Sequence, residues 1–363
     1  MKKKVLNESK PWWSTYSSPI TNSKNARKLF MEKRASLGRE TLKLENILKK
    51  KLNVKHVILS NSGTSALYMA TIVADIHKRN NVYSPAINWP GSINGVLYAG
   101  KKLHLIDSNK NFINGNYNSI LKKISKKDLL FISHLNGKCA YEIEMLKEWK
   151  KKKFFIIEDA AQSFMTKDFN NNFVGTQFDI GCFSLGMTKM CNMIYGGFCV
   201  TNNSRYAKEL IKIRNNGVDN IYQKPNGIGG NFKPSDLHSI VGINSVNNFH
   251  NIKKKLFKIY KIYKQKLINK NFLMFDYNSN KGEIPTYIEI LTKKRSKLIT
   301  YMKKSNIGFS YGTRMLNLSK KYSLFSNIKN AKKFDSELLR LPCGPGSSLK
   351  KIKKTIDTLN KFN

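Results

Sequence analysis

Leu44, Ile47, Leu48 and Leu52 recur at the three- and four-residue spacing of one helix face, in a segment whose remaining positions are mostly charged. The next apolar run, 56–59, is too short for a helix and reads as a strand, after which Gly63 and Thr64 open a second helical stretch over 66–76. Short apolar runs at 81–84, 103–106, 129–133 and 154–158 predict further strands with helix-length segments between them. The run 154–158 is almost wholly apolar, as expected of a strand covered on both faces in a parallel sheet. This alternation, sustained from about residue 42, predicts α/β layers.

The stretch 175–200 departs from the pattern. Phe183 leads into a Ser/Gly/Met/Thr/Lys turn, and the pair Gly196-Gly197 precedes another apolar run. This is loop chemistry set inside a core. Beyond Asn231, 236–249 reads as a helix leaving the first unit and 253–267 as a long basic helix entering a second, with no internal repeat. A chain of 363 residues exceeds the usual size of one core, so the expectation is a large domain over 1–248, including an N-terminal arm, and a smaller α+β domain over 249–363.

Composition narrows the class. With 40% hydrophobic and 11% aromatic residues and no polar low-complexity tract, the chain is globular rather than disordered. A formal charge of +42, from 65 Lys and Arg against 23 Asp and Glu, raises nucleic acid as a partner. The lysines, however, come as short runs along the whole length (Lys49 to Lys51, Lys150 to Lys153, Lys253 to Lys255) and travel with an excess of Asn and Ile. That scatter reads as solvated surface, so nucleic acid is not the expected partner. Cys139, Cys182, Cys191, Cys199 and Cys343 form no CxxC pair and lie mostly among apolar residues, which predicts reduced, buried thiols and neither a disulfide framework nor a metal site. The basic first residues have no apolar core after them and no later run suits a membrane span, so the expectation is a cytoplasmic protein without membrane insertion.

Three local features carry candidate chemistry. Asp159 follows the apolar run 154–158, and a carboxylate at the carboxyl end of a parallel strand faces the crevice where α/β proteins bind ligands. Ser62-Gly63-Thr64-Ser65 lies between a strand and a helix, where free N–H groups and the helix dipole favour a phosphate. Lys189 is flanked by Met187, Met190 and Met193 instead of other charges, and apolar surroundings favour the neutral amine that a nucleophile requires. Taken singly, each has an ordinary reading as a turn residue, a helix cap or a lysine snorkelling from a loop. Together they match what pyridoxal phosphate (PLP) demands: an amine for its aldehyde, an acid for its ring nitrogen and donors for its phosphate.

The blocks Asn61-Ser62-Gly63-Thr64-Ser65-Ala66-Leu67, Pro85-Ala86-Ile87-Asn88-Trp89, Glu158-Asp159-Ala160-Ala161-Gln162, Phe183-Ser184 through Lys189 to Gly196-Gly197, Gly230-Asn231-Phe232-Lys233 and Leu341-Pro342 occur in an order and spacing that span nearly the whole chain. In this the chain resembles the DegT/DnrJ/EryC1/StrS family of PLP-dependent sugar aminotransferases. The resemblance implies a fold-type I aminotransferase, α/β, with a mostly parallel central sheet between helices and a smaller C-terminal α+β domain. It implies that Lys189 forms the Schiff base with PLP and moves protons, that Asp159 pairs with the pyridine nitrogen, and that Gln162 lies near the ring hydroxyl. Trp89 takes the place of the aromatic that stacks on the cofactor. Gly63, Thr64 or Ser65, and Ser184 match phosphate-binding positions, and Asn231 matches an asparagine that reaches the phosphate from a neighbouring subunit, which implies a homodimer with shared sites. The implied reaction moves an amino group from glutamate to a nucleotide-linked keto-sugar, for surface polysaccharide or glycan.

Departures from the family pattern fall around the substrate. Tyr195 stands where Glu is common, Lys233 replaces an Arg, and Gly344 falls where His is common. A lysine at 189, not a histidine, argues against the PLP-dependent sugar dehydratases that share the fold. His134 follows an apolar strand and admits a structural or cofactor-side hydrogen bond as readily as proton transfer, while Trp12 and Trp13 either line a sugar pocket or pack at the dimer interface, with packing preferred. Two rival functions stand beside the main one: a catalytically silent basic protein on the same fold, and a PLP enzyme acting on a non-sugar ketone.

Overall fold

The computed structural model describes residues 11–15, 37–219, 224–318, 323–324 and 327–363; the basic first ten residues lie outside this set. Helix α1 (Arg39–Leu52) buries Leu44, Leu48 and Leu52, the face that the spacing predicts, and stops where Asn53 turns left-handed. There follow β1 (His56–Ser60), α2 (Gly63–Val73), β2 (Val82–Pro85), α3 (Asn94–Tyr98), β3 (Leu103–Ile106), β4 (Leu129–Ser133), α4 (Ile143–Lys152), β5 (Phe155–Asp159), β6 (Ile180–Ser184), β7 (Gly197–Thr201) and α5 (Ser204–Arg214). The remainder comprises α6 (Asp236–Asn247), α7 (Phe249–Lys266), β8 (Leu273–Met274), β9 (Glu289–Leu291), α8 (Arg295–Lys304), β10 (Ser323–Leu324), α9 (Lys329–Glu337), β11 (Leu338–Arg340) and α10 (Leu349–Asn360).

Among the described residues, eight strands form one sheet in the order β1-β7-β6-β5-β4-β2-β3-β10. Only β7 runs against its neighbours, β1 and β6; the pairs from β6 outward to β10 are parallel. Every residue of β4 and β5 is buried, which is why these strands read as unbroken apolar runs. Register places Ser133 beside Asp159 and Asp159 beside Cys182, so the chain leaves β4, β5 and β6 at one common edge. In a parallel sheet that edge is where ligands bind.

The predicted helices 236–249 and 253–267 correspond to α6 and α7, with Asn248 between them as the cap of both. Beyond it β11, β9 and β8 make a second, antiparallel sheet. The segment after 248 also returns to the first sheet, where β10 pairs in parallel with β3 and covers what would otherwise be an open edge. One apolar cluster runs from Leu44 and Leu48 of α1 through Tyr263 of α7 to Ile352 and Leu359 of α10. All five cysteines are free and all but Cys139 are buried. Burial pushes the thiols of Cys191 and Cys343 up to about 12, which leaves them unreactive near neutral pH. Among the described residues no helix is long and apolar enough to cross a membrane.

Candidate active site

The common edge of β4, β5 and β6 opens into a cavity of about 520 Å³ whose walls include Gly63, Thr64, Trp89, Asp159, Gln162, Ser184 and Lys189. The structure thus gathers residues from separate sequence blocks around one space. Ser65 and Asn231 are not among its walls.

The reason for Ser65 is local. Ser62 caps α2 by accepting the Ser65 amide at 3.0 Å, and the Ser65 hydroxyl donates to Asn61, so this residue is consumed in building the helix end. The amides of Gly63 and Thr64 remain without a protein acceptor among the described residues and point the positive end of α2 at the cavity. Ser184 completes the cradle: its hydroxyl oxygen accepts the Gly186 amide at 3.3 Å and keeps its own proton to donate. The close approach of these elements requires glycine at two points. A Cβ on Gly63 would lie 2.7 Å from the Ser184 Cβ, and one on Gly197 would lie 2.4 Å from the Gly63 nitrogen. Gly63→Ala is therefore expected to push α2 away from Ser184 and to weaken PLP binding about tenfold, roughly 1.4 kcal/mol. Equilibrium titration of the apoprotein with PLP, with inorganic phosphate as competitor, measures this.

Asp159 is 5% exposed at the end of β5. Its Oδ1 accepts the Ala161 amide at 3.0 Å and its Oδ2 accepts the Ser92 hydroxyl, while Asn88 Oδ1 also lies 3.0 Å from that hydroxyl. Among the described residues no Lys, Arg or His forms an ion pair with this carboxylate. A buried negative charge without a cationic partner is costly unless something supplies the positive charge. A protonated pyridine nitrogen would do so.

Lys189 stands half-buried in the turn after β6, its amide donating to Gly186 O at 3.0 Å. Its Nζ forms no hydrogen bond or ion pair among the described residues. The donor set, the cradle, the unpartnered amine and the carboxylate without a cationic partner all fit PLP. Trp89, 61% exposed, lines the same cavity as Asp159 and Lys189. Gln162 is tied at both ends, its Oε1 accepting the Asn136 amide at 3.2 Å and its Nε2 donating to Thr313 Oγ1 at 2.9 Å.

The open roles now divide. His134 is fully buried; Nδ1 accepts the Ala140 amide at 3.1 Å, which places the ring proton on Nε2, 3.1 Å from Glu158 Oε1. Glu158 in turn accepts the amides of Gly175, Gln177 and Phe178. With both nitrogens used, His134 serves the site as wall and fastener. Trp12 lines the cavity, whereas Trp13 is buried and packs. Tyr195 lines the cavity as well, 67% exposed. Tyr287 and Arg340, not expected from the sequence, reach the cavity from the second sheet and its approaches. Arg340 pairs with Glu289 at 2.6 Å, and burial and that carboxylate act in opposite directions on the guanidinium, the carboxylate prevailing to hold its pKa above the usual value.

A family model described as the DegT/DnrJ/EryC1/StrS aminotransferase family matches residues 21–360. A GDP-perosamine synthase from Escherichia coli O157:H7 is 26% identical over 263 residues, 71% of each chain. Among solved structures, Helicobacter pylori PseC, an aminotransferase involved in the biosynthesis of pseudoaminic acid, superimposes with a TM-score of 0.83 at 20% identity, covering 96% of this chain and 98% of its own. An E. coli GDP-4-keto-6-deoxy-D-mannose-3-dehydratase with bound hydrated PLP also gives 0.83, at 17% identity over 96% and 98%. At those identities the two structural likenesses speak for the fold alone.

Proposed function

The chain belongs to the DegT/DnrJ/EryC1/StrS aminotransferase family, and from that premise we propose that it moves an amino group from glutamate to a keto-sugar carried on a nucleoside diphosphate, with PLP held at Lys189. The observation that carries the proposal is the placement of one unpartnered lysine amine and one uncompensated buried carboxylate in the same cavity as a free helix N-terminus. PLP, when bound, supplies an electron sink that stabilises negative charge on the carbon bearing the amino group. Lys189 would anchor the group through its amine, and that amine would serve to take and return the proton at that carbon. Asp159 keeps the ring nitrogen protonated. The Gly63 and Thr64 amides, the Thr64 hydroxyl and Ser184 would hold its phosphate, and Trp89 and Gln162, which line the same cavity, would hold its ring.

Asn231 sits at the surface, where its carbonyl accepts from Asn61 Nδ2 at 3.1 Å, outside the cavity of its own chain. Its family role therefore calls for a second copy, so a homodimer with shared sites belongs to the proposal. The fold is common to aminotransferases and dehydratases; a lysine at 189 supports amino transfer. The named relative acts on a GDP-sugar, which supports the nucleotide-linked class without fixing the base.

The test is incubation with glutamate and a panel of GDP-, UDP- and dTDP-linked keto-sugars, with mass spectrometry of the products. The expected result is glutamate-dependent conversion of one carbonyl to an amine. Amination of small ketones alone would move the substrate class away from sugars. Salt-sensitive DNA binding with no amination of any acceptor would favour the silent basic protein instead.

A further inference from the structure

Lys189 lies on a turn that has little to fix it from within. Met187 is 51% exposed, Thr188 is exposed, and the turn closes on one backbone bond, from the Lys189 amide to Gly186 O at 3.0 Å. Two side chains from distant parts of the chain supply what the turn lacks. The Trp13 indole N–H donates to Met187 O at 3.2 Å, and the Tyr287 hydroxyl donates to Thr188 O at 3.0 Å. They hold successive carbonyls, the two immediately before Lys189.

Both donors are themselves clamped. The Trp13 and Tyr287 rings meet edge to face with centroids 5.3 Å apart. The Arg340 guanidinium lies 3.7 Å from the Tyr287 centroid on one side of this cluster and 5.2 Å from the Trp12 ring. Arg340 is fixed by Glu289, whose other oxygen accepts Asn136 Nδ2 at 2.7 Å, and Asn136 Oδ1 accepts the Tyr287 amide at 2.7 Å. The segment carrying Trp13 is laced to the chain after Pro342: Cys343 N donates to Trp12 O at 2.7 Å, Ser14 N to Cys343 O at 2.9 Å, and Gly346 N to Ser14 O at 2.9 Å. Gly344 permits that lacing, since its φ is +109° and a Cβ would stand 2.4 Å from Ser14 O. The departure at 344 noted in the sequence thus makes room for the strap.

We propose that Trp13 and Tyr287 are positioning residues for Lys189, fixing the backbone on which its amine swings and so tying the reactive lysine to the N-terminal strap and to the second sheet. The proposal rests on the assignment of Lys189 above. A lysine on a long flexible stem must find the same atom at every cycle, and loss of alignment at a reacting centre is expensive in rate. Both residues act through Lys189 and not on the reacting atoms.

The experiment uses the full chain and removes each donor while keeping an aromatic side chain in its place: Tyr287→Phe, which removes one hydroxyl, Trp13→Phe, which also shrinks the ring, and the double variant. PLP is added to the apoprotein and the visible absorbance is followed in time and against pH, with no sugar present. Steady-state kcat and KM and the melting temperature are measured alongside. Losing one donor is expected to slow the absorbance rise and lower kcat about three- to tenfold, the scale of one hydrogen bond. The pH midpoint of the absorbance should move and KM should change little. Because the two donors act on one turn, the double variant should fall short of the product of the single effects. An unchanged rate and pH midpoint in both single variants overturns the proposal, whatever the melting temperature does. Should Trp13→Phe fail to fold, Tyr287→Phe, which removes one hydroxyl, decides alone. Wild-type protein that develops no visible absorbance overturns the Lys189 assignment and this proposal with it; normal absorbance without any sugar product overturns only the substrate reading.

Discussion

Lys189→Ala is expected to abolish the visible absorbance that PLP gives with the wild-type protein and to reduce amino transfer by at least about 10²- to 10⁴-fold, the range for a positioned proton-moving group. The loss of the covalent anchor adds to that figure, because the same amine has both tasks. Among the described residues that line the cavity Lys189 is the one primary amine; His134 has both nitrogens committed to Ala140 and Glu158, and Arg340 is paired with Glu289. PLP should still bind to the alanine variant, weakly and without covalent attachment, since the α2 N-terminus and Ser184 are untouched. Equilibrium dialysis checks this and separates loss of chemistry from loss of the site. Lys189→Arg makes a sharper control. It preserves length and charge, yet a guanidinium neither condenses with an aldehyde nor gives up a proton near neutral pH, so it should be as inactive as alanine. A Lys189→Ala protein that keeps its colour and turnover would falsify the assignment.

Much of this site was legible because its parts lie where the backbone pattern itself points. The apolar run before Asp159 is a strand buried on both faces, and its end is a ligand edge whatever the ligand is. Gly197 and Gly63 stand where β7 and α2 nearly touch, a contact that a side chain would block, while Gly196 makes room for Met193. What stayed hidden depends on contacts between distant segments. Glu289 lies between Ile288 and Ile290, and Arg340 between Leu339 and Leu341; such settings announce that each charge is buried, but not that the two neutralise one another. Tyr287 and Thr313 likewise reach residues 188 and 162 only after the second sheet has docked. The choice between Thr64 and Ser65 turned on which hydroxyl the helix cap consumes, a matter of side-chain geometry at one turn. The two residues of β10 carry no periodicity at all, and their pairing with β3 is set by the edge they cover.

Asp159→Asn is the second change with a large expected effect, and it isolates charge from shape. Asparagine fills the same volume, and its carbonyl oxygen can still accept the Ala161 amide, so the fold and the end of β5 should persist with a melting temperature close to wild type. PLP should remain attached to Lys189 and coloured. What is lost is the negative partner that keeps the ring nitrogen protonated. Removing one member of a buried charge pair costs about 3–5 kcal/mol, which corresponds to a fall of about 10²- to 10⁴-fold if the charge is needed at the transition state. Because the ring must accept electrons in both directions of the reaction, the half-reaction with glutamate alone should slow as much as the full cycle, and single-turnover spectra without any sugar suffice to measure it. Ser92→Ala offers a graded companion: it removes one donor to the carboxylate and leaves the charge, so its effect should be about three- to tenfold. If Asp159→Asn turns over glutamate at the wild-type rate while Lys189→Ala does not, the lysine assignment stands, and the carboxylate at 159 is a strand-end acceptor for Ala161 and Ser92 with no part in activating the ring.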